Sequence, residues 1–252
     1  MISDFLFLMK EAIKTVEEKV RRDFYEMESL QTSNDGAVSF AKHTYDFINS
    51  RLFRYFKEKM PEANLIFKDG IENRVLDEKK KYNIYINAIC GLNNFLHGIP
   101  YFCTVILLKK NNKDIKKEEL ICGVVNNYAT QEMFFSEVGK GAFVDTRRMR
   151  VSSRANINTT ISAIKYDKDK SKIYNLLDKL PSVKINNCSI LDICNVACGK
   201  YDSAYIFDKM PVYSEIGELF VKESGGFIHK FGVNDVLVSN SLLHNNFKEL
   251  LK

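Results

Sequence analysis

The chain has 252 residues, 45% hydrophobic and 27% charged, with 12 Gly, 4 Pro and 6 Cys. That is enough to bury one large core or two lobes, and it excludes a low-complexity or largely disordered chain. The formal net charge of +5 permits an acidic partner and demands none.

Residues 2–28 read as one amphipathic helix, because Ile2, Phe5, Met9, Ile13, Val16, Val20, Phe24 and Met27 recur every three or four positions. Ser3 is placed to cap it. The apolar patch Phe5–Met9 is bracketed too closely by Asp4 and Lys10 to span a membrane. A soluble cytoplasmic chain with no membrane partner is therefore expected. Residues 31–36 read as a turn-rich break. A second helix over 44–60 stops at Pro61, since the residue before proline resists the helical conformation. Leu65–Phe67 is a short strand leading to Lys68, Asp69 and Gly70, and the charged stretch 72–81 reads as a solvated loop.

Tyr82 to Leu107 is the stretch that organises the rest. Ile84 and Ile86 alternate with Asn83, Tyr85 and Asn87, which is strand spacing. Gly91 breaks the run and Leu92–Asn94 starts a short helix, with Asn a natural cap. A strand, a tight turn and a helix start together present backbone N–H groups to an anion. Runs 101–108 and 120–126 read as a hairpin with a long Lys-rich tip over 109–117. Residues 133–139 and 141–144 read as two more strands, so helices laid on an antiparallel sheet are expected in this half. The second half alternates: strands over 161–166, 183–185, 204–207 and 236–239, with helices over 171–180, 191–198 and 214–223 and another at the end. The expected fold class is α/β (α+β), a layered α-β-α-β-α sandwich forming one compact domain with lobes 1–150 and 151–252.

The cysteines at 90, 103, 122, 188, 194 and 198 mostly sit inside apolar runs, as buried thiols of a reducing compartment do. Cys194 and Cys198 lie one helical turn apart, but no second Cys or His pair completes a metal site. His97 has no paired acid or nucleophile nearby and reads as a turn residue. Arg147, Arg148, Arg150 and Arg154 form a basic cluster, read as a solvated face, with RNA contact the alternative.

The segment Asn87-Ala-Ile-Cys-Gly-Leu-Asn-Asn-Phe95 resembles the signature of the inositol monophosphatase family, Asp-Pro-Ile/Leu-Asp-Gly-Thr-x-Asn-Phe. Further likenesses run through residues 57–61, 123–125, Phe134, 139–143, Leu191-Asp192, Gly199, Asp202 and 217–226, the last closest to the bacterial extragenic suppressor SuhB branch. The resemblance implies the inositol monophosphatase/sugar phosphatase fold and Mg²⁺-dependent hydrolysis of phosphate monoesters. It implies that the metal ligands correspond to Asp69, Asn87, the Ile89 carbonyl, Cys90 and Tyr213. The water-orienting positions correspond to Leu92 and Tyr45, the phosphate-binding turn to Gly91, Leu92 and Asn93, and substrate contacts to Cys188, Ser189 and Ile206.

Of the carboxylate ligands the resemblance calls for, only Asp69 survives. Mg²⁺ wants hard oxygen ligands in an octahedron, and the Cys90 thiol is soft. A catalytically inactive binding or scaffold protein is therefore expected, with no cofactor and only vestigial catalytic positions. The alternative is an active phosphate-monoester (inositol-1-monophosphate) hydrolase with an altered metal site. The resemblance further implies a homodimer, for which the hairpin Val124–Phe135 is the expected contact surface. It also implies a partner in the transcription machinery. The turn and helix start at Gly91, with the carboxylates gone, lead to an expectation of weak binding of phosphate or sulfate there.

Overall fold

The structure is a computed structural model that describes residues 3–30, 34–68, 77–112, 117–166, 171–207, 212–231 and 235–251. They divide into two compact units, 1–137 and 138–252.

In the first unit, helices α1 (Asp4–Leu30) and α2 (Asn34–Lys59) accompany strands β1 (Ala63–Phe67), β2 (Tyr82–Cys90), β3 (Cys103–Asn112), β4 (Lys117–Asn127) and β5 (Glu132–Glu137), hydrogen-bonded in that order. The stripe on α1 is buried from Leu6 through Met27, and Ser3 Oγ accepts from the Leu6 N–H at 3.4 Å, the expected cap. Ile2 lies outside the described residues.

Helix α2 starts at Asn34, not Thr44. Ala37 and Ala41 are buried and continue the stripe of Ile48, Leu52 and Phe56 back through the expected turn residues. Burial of that stripe outweighs the local cost of Gly36, about 1 kcal/mol in a helix interior. The sheet is also not purely antiparallel, because β1 pairs with β2 in parallel and only the remaining pairs run antiparallel.

The Lys-rich hairpin tip is shorter than expected. Strands β3 and β4 continue to Asn112 and from Lys117, with Lys109 paired to Leu120. Lys109 is buried, with its Nζ 3.5 Å from a Glu118 carboxylate oxygen. Tyr85 Oη and Asn83 Nδ2 donate to that same carboxylate, so the lysine enters the sheet paired with a charge that is itself hydrogen-bonded. The other correction concerns Val124–Phe135. Val124, Val125, Phe134 and Phe135 are buried within the chain, and α1 packs on β4 and β5. Those side chains are part of the core, so only the half-buried and exposed tip, Ala129–Met133, is left to face a second copy.

In the second unit, β6 (Ala142–Val144) pairs with β7 (Arg147–Arg148), inside the stretch read as a basic face. A five-stranded sheet has the order β11 (Phe227–Phe231), β12 (Asp235–Ser239), β10 (Ser203–Phe207), β8 (Ser162–Tyr166), β9 (Val183–Lys184). Strands β8, β9 and β10 are parallel, while β12 runs antiparallel to β10 and β11. Strand β11 was not among the expected strands. Tyr205 and Phe207 on one face pack with Ile173 and Leu176 of α4 (Ser171–Lys179) and Phe247 of α7 (His244–Glu249). Helices α5 (Ser189–Ala197) and α6 (Glu215–Glu223) pack against each other, and both contact β12. At Gly217 an added Cβ would lie 2.8 Å from Ile190 Cδ1 and 3.0 Å from Ile193 Cγ2, so a larger residue would require those side chains of α5 to shift.

Asp202, fully buried, gathers four donors from three stretches of this unit. Its carboxylate accepts from Ser152 Oγ, from Arg154 Nε at 2.7 Å, from the Ile161 N–H at 2.9 Å and from Asn240 Nδ2 at 3.3 Å. Cys194 is buried and Cys198 half-buried, and neither is in a disulfide.

Candidate functional site

The end of β2 is where sequence and backbone meet to make a site. Pairing with β3 puts Asn87 opposite Val105 and Cys90 opposite Cys103, so three steps on β2 match two on β3. That extra residue is a β-bulge. A regular strand would turn residues 87 and 90 to opposite faces, and the bulge brings them to the same one. Asn87 Nδ2 accordingly lies 2.8 Å from Cys90 Sγ. Asn87 is 2% exposed, and its Oδ1 has no hydrogen-bond partner among the described residues. Thr104 faces the other way, donating to the Ala88 carbonyl at 2.5 Å and accepting from Tyr128 Oη at 2.9 Å. Burial pushes the Tyr128 phenol up from its usual range.

Gly91 ends the strand in the left-handed conformation, φ 81°, and precedes α3 (Leu92–Leu96) with no side-chain cap. The expected Asn cap is therefore absent. Asn94 instead turns inward and donates to the Tyr101 carbonyl at 2.7 Å, because its buried amide finds that acceptor in the chain leading to β3. Asn93 is exposed. His97 closes the helix, its N–H donating to the Asn93 carbonyl at 3.1 Å, which is the turn role expected of it.

Tyr45 on α2 and Leu92 on α3 line one pocket of about 180 Å³, together with Val38, Ala41, Lys42 and Leu96. The two water-orienting positions implied by the resemblance thus lie together, and they are apolar or aromatic. Sequence reading missed Val38, Ala41 and Lys42, since it began α2 at Thr44. Their spacing of seven, four and three from Tyr45 was the available signal. It also missed Asn49, one helical turn beyond Tyr45, buried with neither end of its amide hydrogen-bonded among the described residues.

In the second unit Cys188 is the buried N-cap residue of α5 and Ser189 its first residue. Ile206 is 1% exposed in β10, pointing away from Tyr205 and Phe207 by strand alternation. Tyr213 contributes backbone to the turn Val212–Ser214, and its side chain lies outside the described residues, as does Asp69.

Asn87 and Cys90 offer a cation one neutral amide oxygen and one thiol. That donor set does not fit Mg²⁺, which takes hard, usually anionic oxygens. Among the described residues no three His, Cys, Asp or Glu side chains cluster as a metal site would, and no helix is long and apolar enough to cross a membrane.

The profile of the inositol monophosphatase family matches residues 2–250. The chain is 27% identical over 262 residues to inositol-1-monophosphatase of Caulobacter vibrioides, covering 97% of this chain and 99% of that one. It is 27% identical over 240 residues to inositol monophosphatase 3 of Solanum lycopersicum, covering 90% and 86%. Among solved structures, extragenic suppressor protein suhB of Bartonella henselae superposes with a TM-score of 0.82 at 21% identity, over 99% of both chains.

Proposed function

This chain belongs to the inositol monophosphatase family, and from that premise we propose that it is a member that binds partners and does not hydrolyse phosphate esters. One observation carries the reading. Where the bulged end of β2 gathers side chains, an amide and a thiol bond to each other at 2.8 Å. Two carboxylates in that place would repel each other and need a cation between them. Asn87 and Cys90 carry no such charge. Leu92, at the position of the water-orienting hydroxyl, has none to offer.

Hydrolysis through such a site needs a cation to activate water and to neutralise the leaving oxygen, and these side chains supply neither a ligand set nor a base. A scaffold role is the use left to the fold. Its partner is proposed, by family likeness alone, to be a protein of the transcription machinery. A homodimer is proposed by family likeness alone.

The test is hydrolysis of inositol monophosphate with Mg²⁺, by wild type and by the variant Asp69→Glu, Asn87→Asp, Cys90→Asp, Leu92→Thr, Tyr213→Asp. Wild type is expected at the no-enzyme blank, with partial recovery in the variant, since Tyr45 and Ile206 remain. Wild-type turnover equal to the variant's would overturn the reading. The competing possibility, a hydrolase with an altered metal site, is favoured by the unpartnered Asn87 Oδ1. It requires metal-dependent turnover that Asn87→Ala abolishes.

A further inference from the structure

Cys90 and Cys103 stand directly opposite each other on antiparallel strands β2 and β3. Opposite residues of an antiparallel pair point to the same face, with Cα atoms about 4.5–5.5 Å apart. Disulfides span Cα separations of about 4.4–6.8 Å, so residues opposed in this way are within bridging reach. Neither cysteine is in a disulfide. Cys90 is half-buried and Cys103 fully buried. The first is thus reachable by a small oxidant, and the second is shielded from solvent.

We propose that Cys90 and Cys103 form an oxidative modification site: a dithiol that peroxide converts to a cross-strand disulfide and that thiol reductants restore. In the first step the Cys90 sulfur gives up its proton and bonds to one peroxide oxygen as the O–O bond breaks. The products are the sulfenic acid Cys90–SOH and one water. In the second, the Cys103 sulfur attacks the Cys90 sulfur, the S–O bond breaks, and the hydroxyl leaves as water with the Cys103 proton. Two thiols lose two electrons in all, and one peroxide gains them.

Local structure favours the pair over the other cysteines. The bulge and the Asn87 Nδ2 contact hold the Cys90 sulfur on the face it shares with Cys103. Gly91, in the left-handed conformation directly after Cys90, leaves the backbone free to adjust as the sulfurs close. Cys122, by contrast, stands opposite Leu108 on one side and Glu137 on the other, with no cysteine facing it. The inference does not depend on whether the chain hydrolyses phosphate esters.

No Lys or Arg falls between Tyr82 and Leu108, so trypsin releases both cysteines in the single peptide 82–109. The intact protein is treated with hydrogen peroxide, remaining thiols are alkylated, and that peptide is weighed without reduction. The expected result is a peptide that has lost two hydrogens and carries no alkyl group. Its pieces should stay joined after chymotrypsin cuts between the cysteines and separate on reduction, with Cys122 alkylated throughout. In Cys103→Ser, Cys90 is expected to stop at the sulfenic acid and take up dimedone. Peroxide-treated wild type in which Cys90 is sulfinic, sulfonic or alkylated while Cys103 remains alkylatable would overturn the proposal. So would disulfides joining either residue to another cysteine.

Discussion

Asn87 and Cys90 share a face of β2 although an unbroken strand would separate them, and the Asn87 amide nitrogen lies 2.8 Å from the Cys90 sulfur. Each side chain thereby supplies the other with a partner.

Because that pair offers Mg²⁺ no carboxylate, calorimetry at millimolar Mg²⁺ is expected to show no site-specific heat. A saturable isotherm that disappears in Asp69→Ala would contradict this.

The first N–H groups of a helix have no acceptor within it, and in α3 the Phe95 N–H is the first to bond back, to the Gly91 carbonyl at 3.0 Å. Phosphate is therefore expected to bind weakly there without metal, shifting the Gly91 and Leu92 amide resonances. If both stay in place at saturating phosphate, the anion site has been lost with the metals.

Asp202→Ala leaves the Ser152 hydroxyl, the Arg154 guanidinium, the Ile161 N–H and the Asn240 amide without their shared acceptor. Arg154 is 39% exposed and keeps access to water, so the loss comes from the buried donors left unsatisfied, about 1–3 kcal/mol. Denaturant unfolding of the variant should show a loss of that order, and a loss below about 1 kcal/mol would mean the network contributes little.

His244 Nδ1 lies 2.7 Å from Ser239 Oγ, and the ring packs near Phe227 and His229. Burial, then Lys248 on its own helix and His229 on β11, lower its pKa from 6.5. The folded state therefore binds this proton less readily than the unfolded one. The resulting stability is complete above 6.5 and is lost as pH falls from there through the folded value. His244→Gln should flatten that acid limb of the unfolding curve. An unchanged slope would assign the limb to other groups.

Asn49 buries both ends of an amide without a hydrogen-bond partner among the described residues. Replacing such a group by an apolar one of similar size is nearly neutral or stabilising. Asn49→Leu should hold or raise the melting temperature. A loss above about 1 kcal/mol would show that the amide is bonded in solution.

Much of the fold was legible in the sequence, because α1, β2, the Gly91 turn and α3 each depend on local spacing alone. What was not legible depends on partners distant in the chain. The bulge exists only relative to the register of β3, so nothing between Asn87 and Cys90 announces it. The parallel pairing of β1 is likewise a property of two strands, and the burial of Val124, Val125, Phe134 and Phe135 depends on α1 packing over β4 and β5. A local turn signal misled at Asn34–Gly36, where burial on a helix outweighed it. The pocket shared by Tyr45 and Leu92 became visible only with α2 traced back to Val38.

The hydrogen bond from Thr104 to the Ala88 carbonyl, backed by Tyr128, braces the bulge from the face opposite Asn87 and Cys90. The bend is thus anchored without using either of the side chains it displays. Selection for a stable fold and selection for chemistry act here on different residues. A lineage can exchange the displayed pair while the bend persists, and a later lineage can exchange it back without first rebuilding the strand.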